Sequence, residues 1–283
     1  MTLLLSLISI LFLTSFYLNK NQSNFSRLVS KTNNIINEFP EYKFGSTENI
    51  NIEINNKFSP DNSKLKILIV GDSHGRDLAR ALISYKENLK RYEFSFIETN
   101  ILESYVDNTL ANLQQKNIIE NSNFIFLSRQ FTSEKYQIKK IKKLGNFVKN
   151  LNKNFVIVGS APEFYTSEGD LLLTYLIENE KNKKSLKNKD YLKINKYFYS
   201  KLKTYLFDTN IKLKNTANEL GVNYIDRFEF TCQLEDNICW AIDEKGNRNF
   251  FDYSHFTKSG VIYFGKKINE LGWLEKITQL NTP

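Results

Sequence analysis

With 283 residues, 41% of them hydrophobic and 14% aromatic, the chain can bury a full core as one large domain or two small ones, which excludes a disordered tail. The formal charge of +8 would suit nucleic acid, but the Lys residues are scattered among Asn and Ile along the whole chain. The basicity therefore reads as composition, no nucleic-acid partner is expected, and the densest run, "KNKKSLKNK" from Lys181 to Lys189, reads as a solvated loop or helix face.

The chain opens with "MTLLLSLISILFLTSFYLNK", whose uncharged run from Leu3 to Leu18 is apolar on every side and just short of what a bilayer core of about 30 Å requires. A buried core helix is the alternative, but the terminal position and the polar "NKNQSNFSR" that follows favour a membrane anchor over residues 1–19. No Lys or Arg precedes the run and no small-x-small cleavage site follows it, which argues against a cleaved leader. Residues 20–63, polar and Asn-rich, then read as a linker to a domain over residues 64–283. Orientation is contested: Lys20, Arg27 and Lys31 favour a cytoplasmic flank, whereas Cys232 and Cys239 are spaced to close a small disulfide loop in an oxidising compartment. Two reduced buried thiols are the other reading of that pair, and a zinc site lacks the neighbouring Cys or His it would need. The expectation is a single-pass membrane protein with an extracytoplasmic (periplasmic) domain.

Five short apolar runs, "LKILIV" (65–70), "YEFSFIE" (92–98), "NFIFLS" (123–128), "NFVIVG" (154–159) and "VNYID" (222–226), read as strands. Helical patterns fill the gaps over 76–88, 102–119, 134–151 and a long span from 171 to 220. Such alternation predicts an α/β domain with a single doubly wound, mostly parallel five-stranded sheet covered on both faces. Past Asp226 the alternation stops; residues 228–251 carry both cysteines and read as a loop or small hairpin, and "FTKSGVIYFGKKINEL" reads as a closing helix with Thr257 as its N-cap.

The chemistry concentrates at "GDSHGR", where the first strand gives way to the first helix. Functional groups of open α/β sheets sit at the carboxyl ends of strands, so Ser73 stands where a nucleophile would. Gly71 and Gly75 would let the backbone turn sharply, and the N–H groups of a helix start can stabilise an oxyanion. An N-capping role for Asp72 and Ser73 explains the same residues equally well. A serine needs a base oriented by a carboxylate. The chain has two histidines; His74 adjoins Ser73 on a tight turn and is expected to make only a helix-start hydrogen bond. His255 is the available base, with Asp252 three residues before it in "DYSH".

"GDSH" near the start and "DYSH" near the end resemble the first and last blocks of the SGNH (GDSL-like) hydrolase family. The run "YIDRFEFTCQLEDNICWAIDEKGNRNFFDYSHFTKSG" is similar to the carboxyl part of SGNH domains fused to membrane acyltransferase-3 proteins. The resemblance implies a flavodoxin-like three-layer fold with Ser73 as nucleophile, His255 as base and Asp252 as its orienting partner. It also implies a layout in which a last transmembrane helix leads through a linker to an extracytoplasmic domain. Two family features are missing: no Gly occurs between Gly75 and Gly145, and "SRQF" (128–131) stands where a Gly-x-Asn-Asp block belongs. The Ser73 N–H is thus the main expected oxyanion donor, with Arg129 a candidate for touching substrate and a surface Arg as the alternative.

The implied function is O-acyl transfer, of an acetyl group in the first instance, to a cell-envelope polysaccharide through an acyl-serine. The same three residues would serve an esterase or deacetylase with water as acceptor, and a non-catalytic glycan-binding protein could keep the fold alone. No cofactor and no metal are expected. The expected partners are an acylated donor, a polysaccharide acceptor and a multi-spanning membrane acyltransferase.

Overall fold

The computed structural model describes residues 52–278, apart from 56, 62, 111, 132–134, 166–170 and 180–185. The expected anchor, most of the expected linker and part of the 181–189 basic run lie outside the described residues. Among the described residues no helix is long and apolar enough to cross a membrane.

Five parallel strands form the sheet, β1 (Leu65–Gly71), β2 (Tyr92–Glu98), β3 (Phe124–Ser128), β4 (Asn154–Val158) and β5 (Asn223–Ile225), in the order β2-β1-β3-β4-β5. Eleven helices are present among the described residues: α1 (Ser73–Ser84), α2 (Asn88–Arg91), α3 (Thr99–Val106), α4 (Leu113–Asn121), α5 (Lys135–Asn150), α6 (Leu171–Glu178), α7 (Asn188–Ser200), α8 (Tyr205–Leu220), α9 (Phe228–Thr231), α10 (Lys258–Glu270) and α11 (Glu275–Thr278). From Ile67 to Val70 β1 is apolar at every position because both of its faces are covered. Ile67 and Ile69 join a core with Leu78 and Leu82 of α1 and Val261 and Phe264 of α10; Leu68 and Val70 join another with Leu102 of α3 and Ile141, Leu144 and Val148 of α5. Each such fully buried aliphatic side chain contributes roughly 1.5–3 kcal/mol.

The sequence periodicity finds the strands and misses helix breaks. The span 102–119 splits because Asn108 takes a left-handed conformation (φ 58°) and Asn112 caps α4, its Oδ1 accepting from the N–H of Gln114 at 3.0 Å and of Gln115 at 3.2 Å. The span 171–220 becomes three helices, and one of its breaks brings the Lys203 N–H to the Glu163 carbonyl (2.8 Å). The end of the polar stretch before β1 is docked: Ile52 and Ile54 pack on the core, and the Ser95 hydroxyl of β2 donates to the Asn55 carbonyl (2.8 Å).

The segment after β5 is a two-stranded antiparallel ribbon, β6 (Cys232–Gln233) with β7 (Ile238–Cys239), in which Cys232 and Cys239 face each other and form a disulfide. Thr257 caps α10, its hydroxyl accepting from the Gly260 N–H at 2.9 Å. Helices α1 and α10, from opposite ends of the domain, meet so closely that a Cβ on Gly265 would overlap the Ala81 carbonyl. Gly265→Ala should therefore lower unfolding stability by about 1–3 kcal/mol in urea titration; an unchanged midpoint would contradict the close approach.

Candidate active site

Asp72 and Ser73 begin α1, and the two sequence readings of this turn both hold. Asp72 is the N-cap: its Oδ1 accepts from the His74 N–H (3.0 Å), while its Oδ2 accepts from the Gln130 N–H (2.9 Å) just beyond β3. Ser73 is the first helical residue, so its N–H has no intrahelical acceptor and lies at the positive end of the helix. The glycines serve a different purpose from the one expected. Neither Gly71 nor Gly75 has positive φ; each instead leaves room for the Ser128 carbonyl oxygen, which a Cβ at either position would overlap.

His255 arrives from the other end of the chain on a short turn closed by the Phe250–Phe256 bridge and by the Phe251 N–H to the His255 carbonyl (3.0 Å). Asp252 shapes this turn from inside. Its Oδ1 accepts from the N–H of Ser254 (2.8 Å) and of His255 (2.7 Å), and its Oδ2 lies 2.7 Å from His255 Nδ1. The Asp-x-x-His spacing thus lets one carboxylate build the loop and orient the ring. With Nδ1 facing a carboxylate, that nitrogen carries the proton and Nε2 is left to accept from Ser73 Oγ at 2.8 Å. Ser73, His255 and Asp252 therefore lie in one hydrogen-bonded line, with the His255 and Asp252 side chains 16% and 24% exposed.

The His255 ring is held on both faces. The His74 ring stacks on it at 4.8 Å and 18°, and Phe251 stacks at 5.6 Å and 21°. Sequence reasoning gave His74 no more than a helix-start bond; its N–H does make one, but its ring is the inner wall of this sandwich. Beneath it lie two buried charged residues that the sequence analysis passed over. The Arg227 guanidinium donates to the His74 carbonyl (3.0 Å), and Asp77 Oδ2 accepts from the Phe256 N–H (3.0 Å), tying the turn that bears His255 to α1. The available signals were the adjacent charges of Asp226 and Arg227 between apolar neighbours in "YIDRF" and an Asp one helical turn after Ser73.

Electrostatics divide the two histidines. Burial, reinforced by the Arg227 charge, pushes His74 down to about 4, so this ring is neutral. Burial also opposes charge on His255, but the Asp252 hydrogen bond and charge outweigh it and hold His255 above the ordinary 6.5. Burial works against ionised Asp252 too, and the His255 contacts overcome it and hold the carboxyl below its usual value. Burial pushes Asp77 up to about 6.

Arg129 stands apart. Its Nε donates to the Gln130 carbonyl (3.3 Å), and it lines a recess with Thr99, Glu103 and Lys140 that contains none of Ser73, Asp252 and His255. Its neighbour Gln130, in the place of the missing Asn block, donates its amide to Glu163 Oε1 (2.7 Å). Among the described residues no group of His, Cys, Asp and Glu could hold a metal ion.

Comparison with known families decides the relationship: the model of the SGNH domain fused to AT3 domains matches residues 43–270. The chain belongs to this SGNH family. No curated protein matches the sequence. Among solved structures, this SGNH domain is similar to the periplasmic domain of a lipopolysaccharide acetyltransferase from Salmonella ser. Paratyphi A. The identity is 19%, 85% of this chain and 98% of that chain are covered, and the TM-score is 0.57, a likeness of fold. A GDSL-like lipase from Bacteroides thetaiotaomicron VPI-5482 matches at 11% identity over 83% of this chain and 97% of that one, with a TM-score of 0.43.

Two histidines make the electrostatic account of the SGNH site directly readable. In an NMR titration of their ring protons, His74 should titrate near 4 and His255 above 6.5, and Asp252→Asn should move the His255 midpoint downward by more than any change at His74. Coincident midpoints near 6.5 would contradict the arrangement.

Proposed function

We propose that this chain is an O-acyltransferase, acting with an acetyl group, that modifies a cell-envelope polysaccharide through an acyl-Ser73 intermediate. The observation that carries the reading is the line from Ser73 Oγ to His255 Nε2 (2.8 Å) and from His255 Nδ1 to Asp252 Oδ2 (2.7 Å) at a helix start. Membership in a family of SGNH domains fused to AT3 domains supports acyl chemistry, and the fold likeness to a lipopolysaccharide acetyltransferase domain supports a glycan acceptor.

In this reading Ser73 Oγ attacks the donor's acyl carbonyl as its proton passes to His255 Nε2, and Asp252 stabilises the imidazolium that results. The Ser73 N–H faces the developing oxyanion, a placement worth roughly 2.7–4 kcal/mol per donor in related chemistry. The imidazolium returns its proton to the leaving group, leaving an acyl ester on Ser73. A sugar hydroxyl then gives its proton to His255 and attacks that ester; as the bond to Ser73 Oγ breaks, His255 returns the proton to that oxygen, which restores free Ser73 and neutral His255 and releases the O-acyl sugar. Neutral His74 adds no charge beside the imidazolium, so the base charges next to an uncharged wall.

The domain would work outside the cytoplasm, in the periplasm, which the disulfide supports. Residues 1–19 would anchor it, residues 20–63 would tether the domain that follows, and a multi-spanning membrane acyltransferase would deliver the donor's acyl group.

Ser73→Ala tests the reading. Its hydroxyl bonds to His255, not to the core, so the variant should keep its melting temperature within about 2 °C while turnover of 4-nitrophenyl acetate falls at least about 10⁴-fold. Retained turnover would contradict the assignment. With the parent protein, envelope polysaccharide should divert acetyl from water to sugar; acetate release that ignores the polysaccharide would mark an esterase.

A further inference from the structure

Beside the hydrogen-bonded line, the loop that leaves β4 builds a second feature that no step above uses. Glu163 is buried, and both oxygens of its carboxylate are bonded: Oε1 accepts from the Gln130 amide (2.7 Å), and Oε2 accepts from Lys203 Nζ (3.0 Å) and from the Tyr205 hydroxyl (3.0 Å). That anchor holds the Lys203 ammonium over two tyrosine rings, 5.3 Å from the centre of Tyr253 and 5.9 Å from that of Tyr165. Tyr253 meets His255 edge-on, 6.1 Å between ring centres. Tyr165 is 57% exposed although Phe164 before it is buried in the core.

A lone exposed tyrosine is ordinary. Here the Tyr165 N–H is bonded to the Lys201 carbonyl (2.7 Å), the ring shares the Lys203 ammonium with a second ring that touches the base, and the residue lies beyond β4 at the carboxyl edge of the sheet. Flat amphipathic rings next to fixed N–H and O–H groups suit a ligand with an apolar face and a hydroxyl rim. A pyranose ring has both. We propose that Tyr165, Tyr253 and Lys203 form the seat of the acceptor sugar, one ring of which stacks on Tyr165 and presents a hydroxyl toward His255. This rests on the transfer reading and adds to it the place where the acceptor binds.

The test uses the full chain. By microscopic reversibility an acetylated sugar enters through the seat from which the product leaves. Tyr165→Ala should lower kcat/KM on O-acetylated xylo-oligosaccharide about tenfold relative to kcat/KM on 4-nitrophenyl acetate, through KM, and Tyr165→Phe should restore the ratio. An unchanged ratio overturns the seat, whether both rates fall together or neither falls. Binding is read separately on the Ser73→Ala chain, by saturation-transfer NMR with xylo-, chito- and manno-oligosaccharides. If the parent cleaves neither ester but Tyr165→Ala still abolishes oligosaccharide binding, the transfer chemistry falls and the seat stands. If none of the three oligosaccharides binds, or binding ignores Tyr165, the seat falls whatever the ester kinetics show.

Discussion

The Ser128 carbonyl occupies the space where side chains at Gly71 and Gly75 would be, and the geometry of the site follows from that approach. It sets the end of β3 against the first turn of α1, which lets Asp72 accept from the Gln130 N–H and cap the helix with the same carboxylate. Ser73 is thereby presented at the positive end of α1 with its hydroxyl facing outward. Any side chain on either glycine would push the helix start off the strand end and take Ser73 with it.

The partner of Ser73 comes from 182 residues further along the chain, so the domain must bring its two ends together. It does so in layers. Helices α1 and α10 close over Gly265; Asp77 on α1 accepts from the Phe256 N–H; and Arg227, after β5, holds the His74 carbonyl. Two buried charges and an unpaired buried Asp77 oxygen are an expensive way to build a core. Arg227 bonds to the His74 carbonyl and reaches the Ser128 hydroxyl (3.4 Å) at the end of β3, and Asp77 holds the turn that bears His255, which points to positioning of the site as what the cost supports.

Much of this was legible in the sequence. The strands were visible because β1, β3 and β4 are short apolar runs buried on both faces and the edge strands β2 and β5 keep apolar residues between turn signals, and Ser73, Asp252 and His255 stood out because chemistry restricts their types and spacing. The helix breaks at Asn108 and around Lys203 were not, since an amphipathic pattern continues through a short turn and only turn chemistry betrays the interruption. The stacking of His74 on His255, and the roles of Asp77, Arg227 and Glu163, depend on contacts between residues far apart in the chain, from Gln130 with Glu163 to His74 with His255, which periodicity does not encode. The glycines of the first motif stand out in the sequence as freedom for a sharp turn, whereas neither has positive φ and each makes room for a carbonyl's close approach.

The central claim is that Ser73 carries the acyl group between donor and acceptor. It is tested most directly by the intact mass of the full chain after brief exposure to an activated acetyl ester, beside Ser73→Ala, with the adduct mapped by peptide mass. The account predicts one acetyl group on the parent, located on Ser73 and absent from the variant. An adduct that persists in the variant, or no adduct in either protein together with no product formed, would contradict it.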